Sequence, residues 1–280
     1  MTITREYILS VVSELMRSCP GDTVCLPDEN RTVKLFEESP LAGVASADDE
    51  IFRDFKNSEA IGPQWLLPTE WLPGAKSVVS FFFPFSKELR AIERAYVMDG
   101  VSDAWRCGRV EGQEYLERLM DMLADALTEA GHKVCVPVID PRFRLVKNIV
   151  PRGDEEDMHV VSAWSERHAA FACGLGTFGM SRVLITEKGA AGRIASIITD
   201  ADIPVTQRPY TDLYEYCTRC GDCSRRCPVG AIPLNDVKNN LKCNSRINNK
   251  VRFLPCGKCQ TCVSCEAHRP SRAGIKVGSL

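Results

Sequence analysis

The sequence predicts a large α/β domain of mixed helices and strands, followed by a small cysteine-rich domain. Two observations predict the large domain: some segments carry apolar residues at helical spacing, and short continuous apolar runs lie between turn residues. The third observation predicts the small domain, because nine of the fourteen cysteines fall within residues 217–265. A chain of 280 residues is long enough for both, and we place the domains at residues 1–205 and 206–280.

Composition and charge limit the classes of protein to which the chain can belong. Hydrophobic residues make up 44% and charged residues 26% of the chain, as in ordinary globular proteins. The 35 basic and 37 acidic side chains give a net charge of −2, which offers no electrostatic reason to bind nucleic acid or an anionic membrane. No apolar stretch approaches the length of a membrane span, and no signal peptide is recognisable. We therefore expect a cytoplasmic protein with neither nucleic acid nor membrane as a partner.

The first half of the chain holds three predicted elements. Residues 4–19 form an amphipathic helix, because apolar side chains recur at helical spacing at Ile8, Leu9, Val12, Leu15 and Met16. Residues 77–85 (SVVSFFFPF) follow a Pro-Gly pair and form a buried strand. Residues 113–130 again show helical spacing, and Gly131 is placed to end that helix.

The second half of the large domain continues this alternation. Residues 133–139 (KVCVPVI) are a predicted strand, and residues 164–173 a predicted helix that ends at Gly174. The apolar runs 182–186 and 193–199 flank EKGAAG and are predicted to pair as a β-hairpin. Two prolines, at positions 204 and 209, mark a linker to the cysteine-rich part.

The cysteine-rich part opens with a specific motif, C-x2-C-x2-C-x3-C-P, which spans residues 217–228. In bacterial ferredoxins, three such thiolates bind one [4Fe–4S] cluster and the fourth binds another. Two clusters need eight thiolates, and the motif is followed by Cys243, Cys256, Cys259, Cys262 and Cys265, which leaves one spare. Zinc and a single cluster with spare thiols are the alternatives, but a zinc ribbon needs neither the third cysteine nor the C-P end.

A glycine-rich loop precedes the cysteines. The loop GLGTFG, residues 174–179, matches G-x-G-x-x-G, but a helix is predicted before it and a strand after it, the reverse of the order in dinucleotide-binding folds. Either the loop is a structural turn, or it faces a cofactor. In the second case the cofactor-binding residues are Gly174, Gly176, Thr177, Phe178 and Gly179.

Residues 164–199, with the motif and its ending CPVGAI (227–232), resemble the epoxyqueuosine reductases and reductive dehalogenases. Residues 39–52, 72–85 and 256–266 resemble a small, little-characterised branch of that family. The resemblance covers most of residues 35–270. It implies a nitroreductase-like α/β (α+β) sandwich, followed by a small two-cluster bacterial-ferredoxin-like domain.

The resemblance also implies ligands and a cofactor. One cluster would take Cys217, Cys220, Cys223 and Cys265, and the other Cys227, Cys243, Cys256 and Cys259. Cys262 would be the spare, since the branch more often has glycine there. Relatives hold a corrinoid (cobalamin) in the large domain, which here would lie across the loop 174–179. A flavin ranks behind the corrinoid.

The chain departs from the family at several points. We expect neither the helical-repeat extension that helps epoxyqueuosine reductase hold tRNA nor the dehalogenases' export leader. The family's catalytic aspartate falls near Val160, so His159 is the first candidate acid because imidazole titrates near neutral pH. Asp157, Asp140 and Arg152 are lesser candidates.

These features predict an iron–sulfur oxidoreductase, a corrinoid-dependent reductase of a small-molecule substrate. An external donor such as ferredoxin or flavodoxin would supply the electrons, and oxygen-sensitive clusters indicate an anaerobe or a well-reduced cytosol. The alternative is an electron-transfer protein that reduces a separate corrinoid protein or flavoprotein. A homodimer is expected by analogy only.

Overall fold

The computed structural model describes residues 3–26, 31–57, 60–96, 100–245 and 256–271. Within them the helices are α1 (Arg5–Ser18), α2 (Ile51–Asp54), α3 (Pro68–Trp71), α4 (Lys87–Ala95), α5 (Asp103–Arg109), α6 (Glu111–Glu129), α7 (Glu166–Ala172), α8 (Asp222–Arg225) and α9 (Asn240–Ser245). The strands are β1 (Thr23–Leu26), β2 (Arg31–Lys34), β3 (Leu41–Ser46), β4 (Ser77–Pro84), β5 (Val134–Cys135), β6 (Leu145–Arg152), β7 (Glu155–Ser162), β8 (Gly176–Phe178), β9 (Leu184–Thr186) and β10 (Gly192–Thr199).

An antiparallel sheet in the order β3-β4-β10-β5 lies at the centre. In β4 every residue is buried, since helices cover both faces of the sheet and strands pair with both of its edges. This explains why the run SVVSFFFPF is continuously apolar instead of alternating, and it confirms the strand predicted there. The sequence therefore folds as a mixed α/β structure.

Helices α1 and α6 pack with α5 on one face of the sheet. The Thr4 side chain accepts a hydrogen bond from the Tyr7 backbone N–H at 3.1 Å and caps α1. Along α6, residues Leu116, Leu119 and Leu123 are fully or almost fully buried against the strands, as their helical spacing predicts. Both predicted helices are confirmed within two residues at each end.

Helix α7 and a group of aromatic side chains cover the other face. Trp65 and Trp164 stack with their ring centroids 4.7 Å apart, and Phe52 stacks on both. The Trp164 indole N–H donates to the Ser196 hydroxyl at 2.9 Å, which satisfies the one polar atom of that ring. Trp164 is therefore a core residue.

The predicted hairpin of residues 182–186 and 193–199 is wrong. Both strands exist, but β9 pairs with β8, while β10 pairs with β4 and β5. The segment between them bonds elsewhere: the Ala190 N–H donates to the Cys265 carbonyl at 2.8 Å, and the Ala191 N–H to the Glu266 carbonyl at 3.0 Å. Local pattern cannot reveal this, because the partner lies some 75 residues further along the chain.

Two other local predictions need correction. The strand predicted over residues 133–139 is confined to Val134–Cys135, because Pro137 has no N–H and a turn follows, in which Ile139 and Asp140 both donate to the Val136 carbonyl. The polar run at residues 154–159, which contains His159 and has the composition of a loop, is also largely strand, because residues 155–159 belong to β7, which pairs with β6. In the part of the chain that the structure describes, no helix has the length and apolarity to cross a membrane.

The cysteine-rich segment is built onto the large domain by close contacts. Gly257 adopts φ +67°, and a Cβ there would lie 2.1 Å from a Trp105 ring carbon of α5. The Lys258 ammonium lies 3.1 Å from the Glu93 carboxylate, which is fully buried in α4. These contacts fix the cysteines against the sheet and its helices.

Candidate metal centres and the adjoining cavity

Four cysteines line one cavity: Cys217, Cys220, Cys223 and Cys265. Burial, with the nearby Cys217 and Cys220 thiols, raises the pKa of Cys223 to about 11. The same causes raise the pKa of Cys265, where Cys223 is the strongest of the neighbouring thiols. A cation bound among such thiols would be needed to hold them as thiolates.

Cys262 does not line this cavity. It is exposed, and its backbone has φ +55°, fixed by a hydrogen bond from its N–H to the Glu266 carboxylate at 2.8 Å. A left-handed backbone favours glycine, which agrees with the glycine expected at this position from the resemblance. Cys265 lines the cavity and Cys262 does not, and the assignment of Cys265 as the ligand stays a prediction.

A second group contains Cys227, Cys243, Cys256 and Cys259. Burial raises the pKa of Cys256, and the Cys243 and Cys227 thiols lie close enough to raise it further. Burial likewise raises the pKa of Cys259 to about 12, with smaller increases from Cys256 and Cys243. Among the described residues, no three His, Cys, Asp or Glu side chains converge closely enough for a single metal ion.

Asp157 connects the hairpin β6–β7 to the helix that carries Cys243. One carboxylate oxygen accepts hydrogen bonds from the backbone N–H groups of Asn240 (2.6 Å) and Leu241 (3.4 Å), at the start of α9. The other oxygen accepts from Arg152 at 3.0 Å and Arg182 at 3.2 Å. Two predicted catalytic residues, Asp157 and Arg152, thus hold α9 in place.

The other two candidate acids lie apart from this network. His159 is half-buried on β7, opposite Asn148 of β6. Asp140 forms an ion pair with Arg142 at 2.7 Å, and the hydrogen bond from Arg142 lowers the pKa of Asp140 to about 2. A carboxyl so strongly paired is ionised at neutral pH and is a poor proton donor.

The glycine loop follows α7 and packs closely on its neighbours. Gly174 adopts φ +83°, and a Cβ on Gly176 would lie 2.0 Å from the Ile185 carbonyl oxygen of β9. The Thr177 hydroxyl accepts from the Tyr216 N–H at 2.8 Å, and the Phe178 ring lies 5.0 Å from the His168 ring. Of the five loop residues, Gly179 borders the cavity of the first cysteine group.

Four charged side chains missed in the sequence lie near one another: Arg109, Glu166, Arg167 and Arg193. Arg109, Glu166 and Arg193 are half-buried, and Arg167 is exposed. We call the space that these side chains border the internal cavity, as a candidate cofactor site. Cys259 is half-buried and is close enough to Arg109 and Arg167 to affect their pKa values.

Glu166 is the one carboxyl among these four side chains. Both of its carboxylate oxygens are buried without a hydrogen bond, although the Ser196 hydroxyl and the Arg193 guanidinium are near. Burial raises the pKa of Glu166 to about 7. The sequence offered one signal for this site: a Glu-Arg pair and a lone arginine (Arg193) within apolar segments.

The raised pKa predicts how Glu166→Gln changes stability with pH. An unfolded glutamate has a pKa of about 4.3. The stability that the neutral carboxyl contributes to the fold is therefore fully present below that pH, and it is lost as the pH rises through about 7. In anaerobic thermal melts, we expect the free energy of unfolding of Glu166→Gln, relative to that of the parent, to rise by up to about 2 kcal/mol between pH 5 and pH 8. Glu114→Gln, an exposed control on α6, should show no such trend. Parallel pH profiles for Glu166→Gln and the parent would contradict the assignment.

Residues 210–232 match the 4Fe-4S binding domain family, which supports binding of a 4Fe–4S cluster by this segment. No curated protein matches the sequence. Among solved structures, the chain is similar to a catabolic reductive dehalogenase, NpRdhA, in complex with 3-bromo-4-hydroxybenzoic acid, with 16% identity, 82% of this chain, 30% of that chain and a TM-score of 0.50.

Epoxyqueuosine reductases are also similar. One is bound to an epoxyqueuosine-modified tRNA-Tyr stem loop (17% identity, 92% of this chain, 66% of that chain, TM-score 0.48). Another is from Bacillus subtilis (18% identity, 95% of this chain, 70% of that chain, TM-score 0.47). The chain thus spans about two thirds of these reductases and under a third of the dehalogenase.

The dehalogenase comparison confirms the predicted resemblance at the level of the fold. The expectation that this chain has no nucleic-acid partner stays a prediction.

Proposed function

We propose that this protein is an iron–sulfur reductase in which two [4Fe–4S] clusters deliver electrons to a corrinoid in the internal cavity. The observation that carries the proposal is the arrangement of the cysteines in two groups of four, with Cys259 of the second group close to Arg109 and Arg167. The large domain, residues 1–205, would be the nitroreductase-like sandwich, with its antiparallel sheet between two layers of helices.

The donor sets fit the proposed clusters. Each group offers four thiols and includes cysteines of the ferredoxin motif, which supplies three to the first group and Cys227 to the second. The thiols Cys223 and Cys265 of the first group and Cys259 of the second are close enough to affect one another's pKa. Such proximity suits electron transfer between two clusters.

The cavity suits a large polar cofactor. Arg109, Arg167 and Arg193 each keep accessible surface and could donate to the amide and phosphate groups at the periphery of a corrinoid. When bound, the corrinoid supplies a low-valent metal that reduces the substrate, and the clusters supply single electrons. A flavin, which also carries a phosphate, is the lesser alternative.

The chain's own side chains would orient the reactants and donate a proton. Glu166 can hold a proton near neutral pH in a place with little water, which suits a proton donor to a reduced substrate. His159 remains the donor proposed from the sequence. The arginines would stabilise negative charge that builds up during reduction. A ferredoxin or flavodoxin would supply the electrons.

An anaerobic reconstitution tests this function. We expect about eight irons per chain, two cluster signals in electron paramagnetic resonance after dithionite, and a base-off Co(II) signal after titration with cobalamin. Two intact clusters without any change in the cobalt signal would contradict the corrinoid reductase and favour an electron-transfer protein or a flavin enzyme.

A further inference from the structure

Strands β6 and β7 form a two-stranded sheet of their own, apart from the central sheet. Three large apolar side chains of β6 are exposed: Leu145 (51%), Val146 (47%) and Ile149 (54%). Because side chains alternate along a strand, Leu145 and Ile149 lie on one face of the hairpin and Val146 lies on the other. Strand β6, which is eight residues long, is therefore exposed on both of its faces.

One edge of the hairpin, along β7, is covered by the protein itself. The Asn239 side chain donates a hydrogen bond to the Glu156 carbonyl at 2.8 Å. The Asn240 side chain likewise donates to the Met158 carbonyl at 3.1 Å. The residues at the start of α9 thus bond to the outer edge of β7, so this edge needs no further strand.

The other edge lies along β6. The Ala163 N–H donates to the Arg144 carbonyl at 2.9 Å, which fixes the alternation of hydrogen-bonded pairs along the hairpin. By that alternation, the N–H and C=O groups of Leu145 and Ile149 point away from β7. In the described ranges, these main-chain groups have no hydrogen-bond partner. An apolar strand with such an edge is a site for pairing with another strand.

Charges at the two ends of β6 indicate which strand would pair with it. Arg144 is exposed just before β6, and its guanidinium donates to the neutral carbonyls of Pro141 and Phe143. Asp154 is exposed in the turn after β6, and among the described residues neither Arg144 nor Asp154 has an ion pair. Arg144 and Asp154 lie five residues before and after Ile149. A second copy of β6, paired antiparallel with Ile149 opposite Ile149, therefore brings each Arg144 beside the partner's Asp154.

We propose that two copies of this chain associate through β6, which pairs with its own copy across a two-fold axis, so that the two hairpins form one continuous antiparallel sheet. In this register the two Ile149 residues exchange main-chain hydrogen bonds, and their side chains cover each other. Lys147 falls opposite the partner's Pro151, so it meets no like charge. A parallel pairing would instead place Arg144 beside Arg144. The proposal does not depend on the proposed reductase, and it assigns a surface to the homodimer expected by analogy.

Sedimentation velocity on the reconstituted full chain, kept anaerobic, tests the proposal. We expect a dimer at micromolar concentrations, and Ile149→Asp should raise its dissociation constant by about tenfold or more, because it places two charges at the centre of the interface. Val205→Asp is the matched control, since Val205 is an apolar residue outside the hairpin that is 59% exposed, and it should leave the dimer unchanged. Iron content per chain, measured on the same samples, shows whether each variant is folded.

Charge reversal tests the register. Arg144→Asp and Asp154→Arg should each weaken the dimer by about tenfold, because each turns two attractive contacts into repulsive ones, and the double variant should recover the dissociation constant of the parent. A chain that stays monomeric up to about 100 μM overturns the proposal and leaves the edge of β6 to a strand of another protein. A dimer that persists in Ile149→Asp, or single charge reversals without recovery in the double variant, also overturns it.

Discussion

Replacing Cys265 with serine should eliminate the signal of one reduced [4Fe–4S] cluster, while replacing Cys262 with serine should leave both signals intact. Cys265 lines the same cavity as Cys217, Cys220 and Cys223, so Cys265→Ser leaves that group with three thiols. Iron should fall from about eight per chain to between about four and seven, depending on whether a three-iron remnant survives. Iron analysis and electron paramagnetic resonance after dithionite measure both quantities.

The pair of variants is well matched, because the two cysteines lie three residues apart on one short segment. Cys262 is exposed and its backbone is held in the left-handed region, so its side chain is free of the cavity. A loss of iron in Cys262→Ser with full iron in Cys265→Ser would reverse the ligand assignment. Full iron in both variants would mean that the first group needs neither thiol.

The sequence revealed those parts of the fold whose signal is local. Strand β4 and helix α6 were predicted nearly to the residue, because each buries a continuous or periodic apolar face that shows in the residue pattern. The cysteine motif was as informative, since the chemistry of iron requires its spacing. The pairing of strands was not predicted, because one partner of β10 is β4, more than 100 residues earlier in the chain.

The internal cavity escaped prediction for a physical reason. Arg109, Arg167 and Arg193 belong to different segments of the chain, and the apolar residues around Arg167 and Arg193 do not show that the three meet. Only the tertiary fold brings them near one another. Conversely, Asp157 is a candidate acid in the sequence because it lies near Val160, whereas its contacts in the structure are those of a helix cap and a partner of two arginines.

Asp157→Asn is expected to loosen the second cluster. The substitution removes the charge that pairs with Arg152 and Arg182, which costs about 3 kcal/mol for a buried ion pair, and it weakens the bonds to the first N–H groups of α9. Because α9 carries Cys243, a less firmly held α9 leaves one proposed ligand of the second group poorly positioned. The other three ligands of that group are Cys227, Cys256 and Cys259. Exposure to an iron chelator should then release about half of the iron sooner than in the parent, as followed by the loss of visible absorbance.

A matched variant separates this positioning role from the catalytic role predicted for Asp157. Asp236 also pairs with Arg152, at 2.5 Å, but its side chain is 54% exposed and it makes no bond to α9. Asp236→Asn should therefore retain iron as the parent does, since an exposed pair contributes little. If Asp157→Asn also kept its iron but lost reductase turnover, Asp157 would act on the substrate. If the variant lost iron first, while the protein that still held its iron turned over as the parent does, Asp157 would act through Cys243. The contacts of Asp157 with the start of α9 favour the second result.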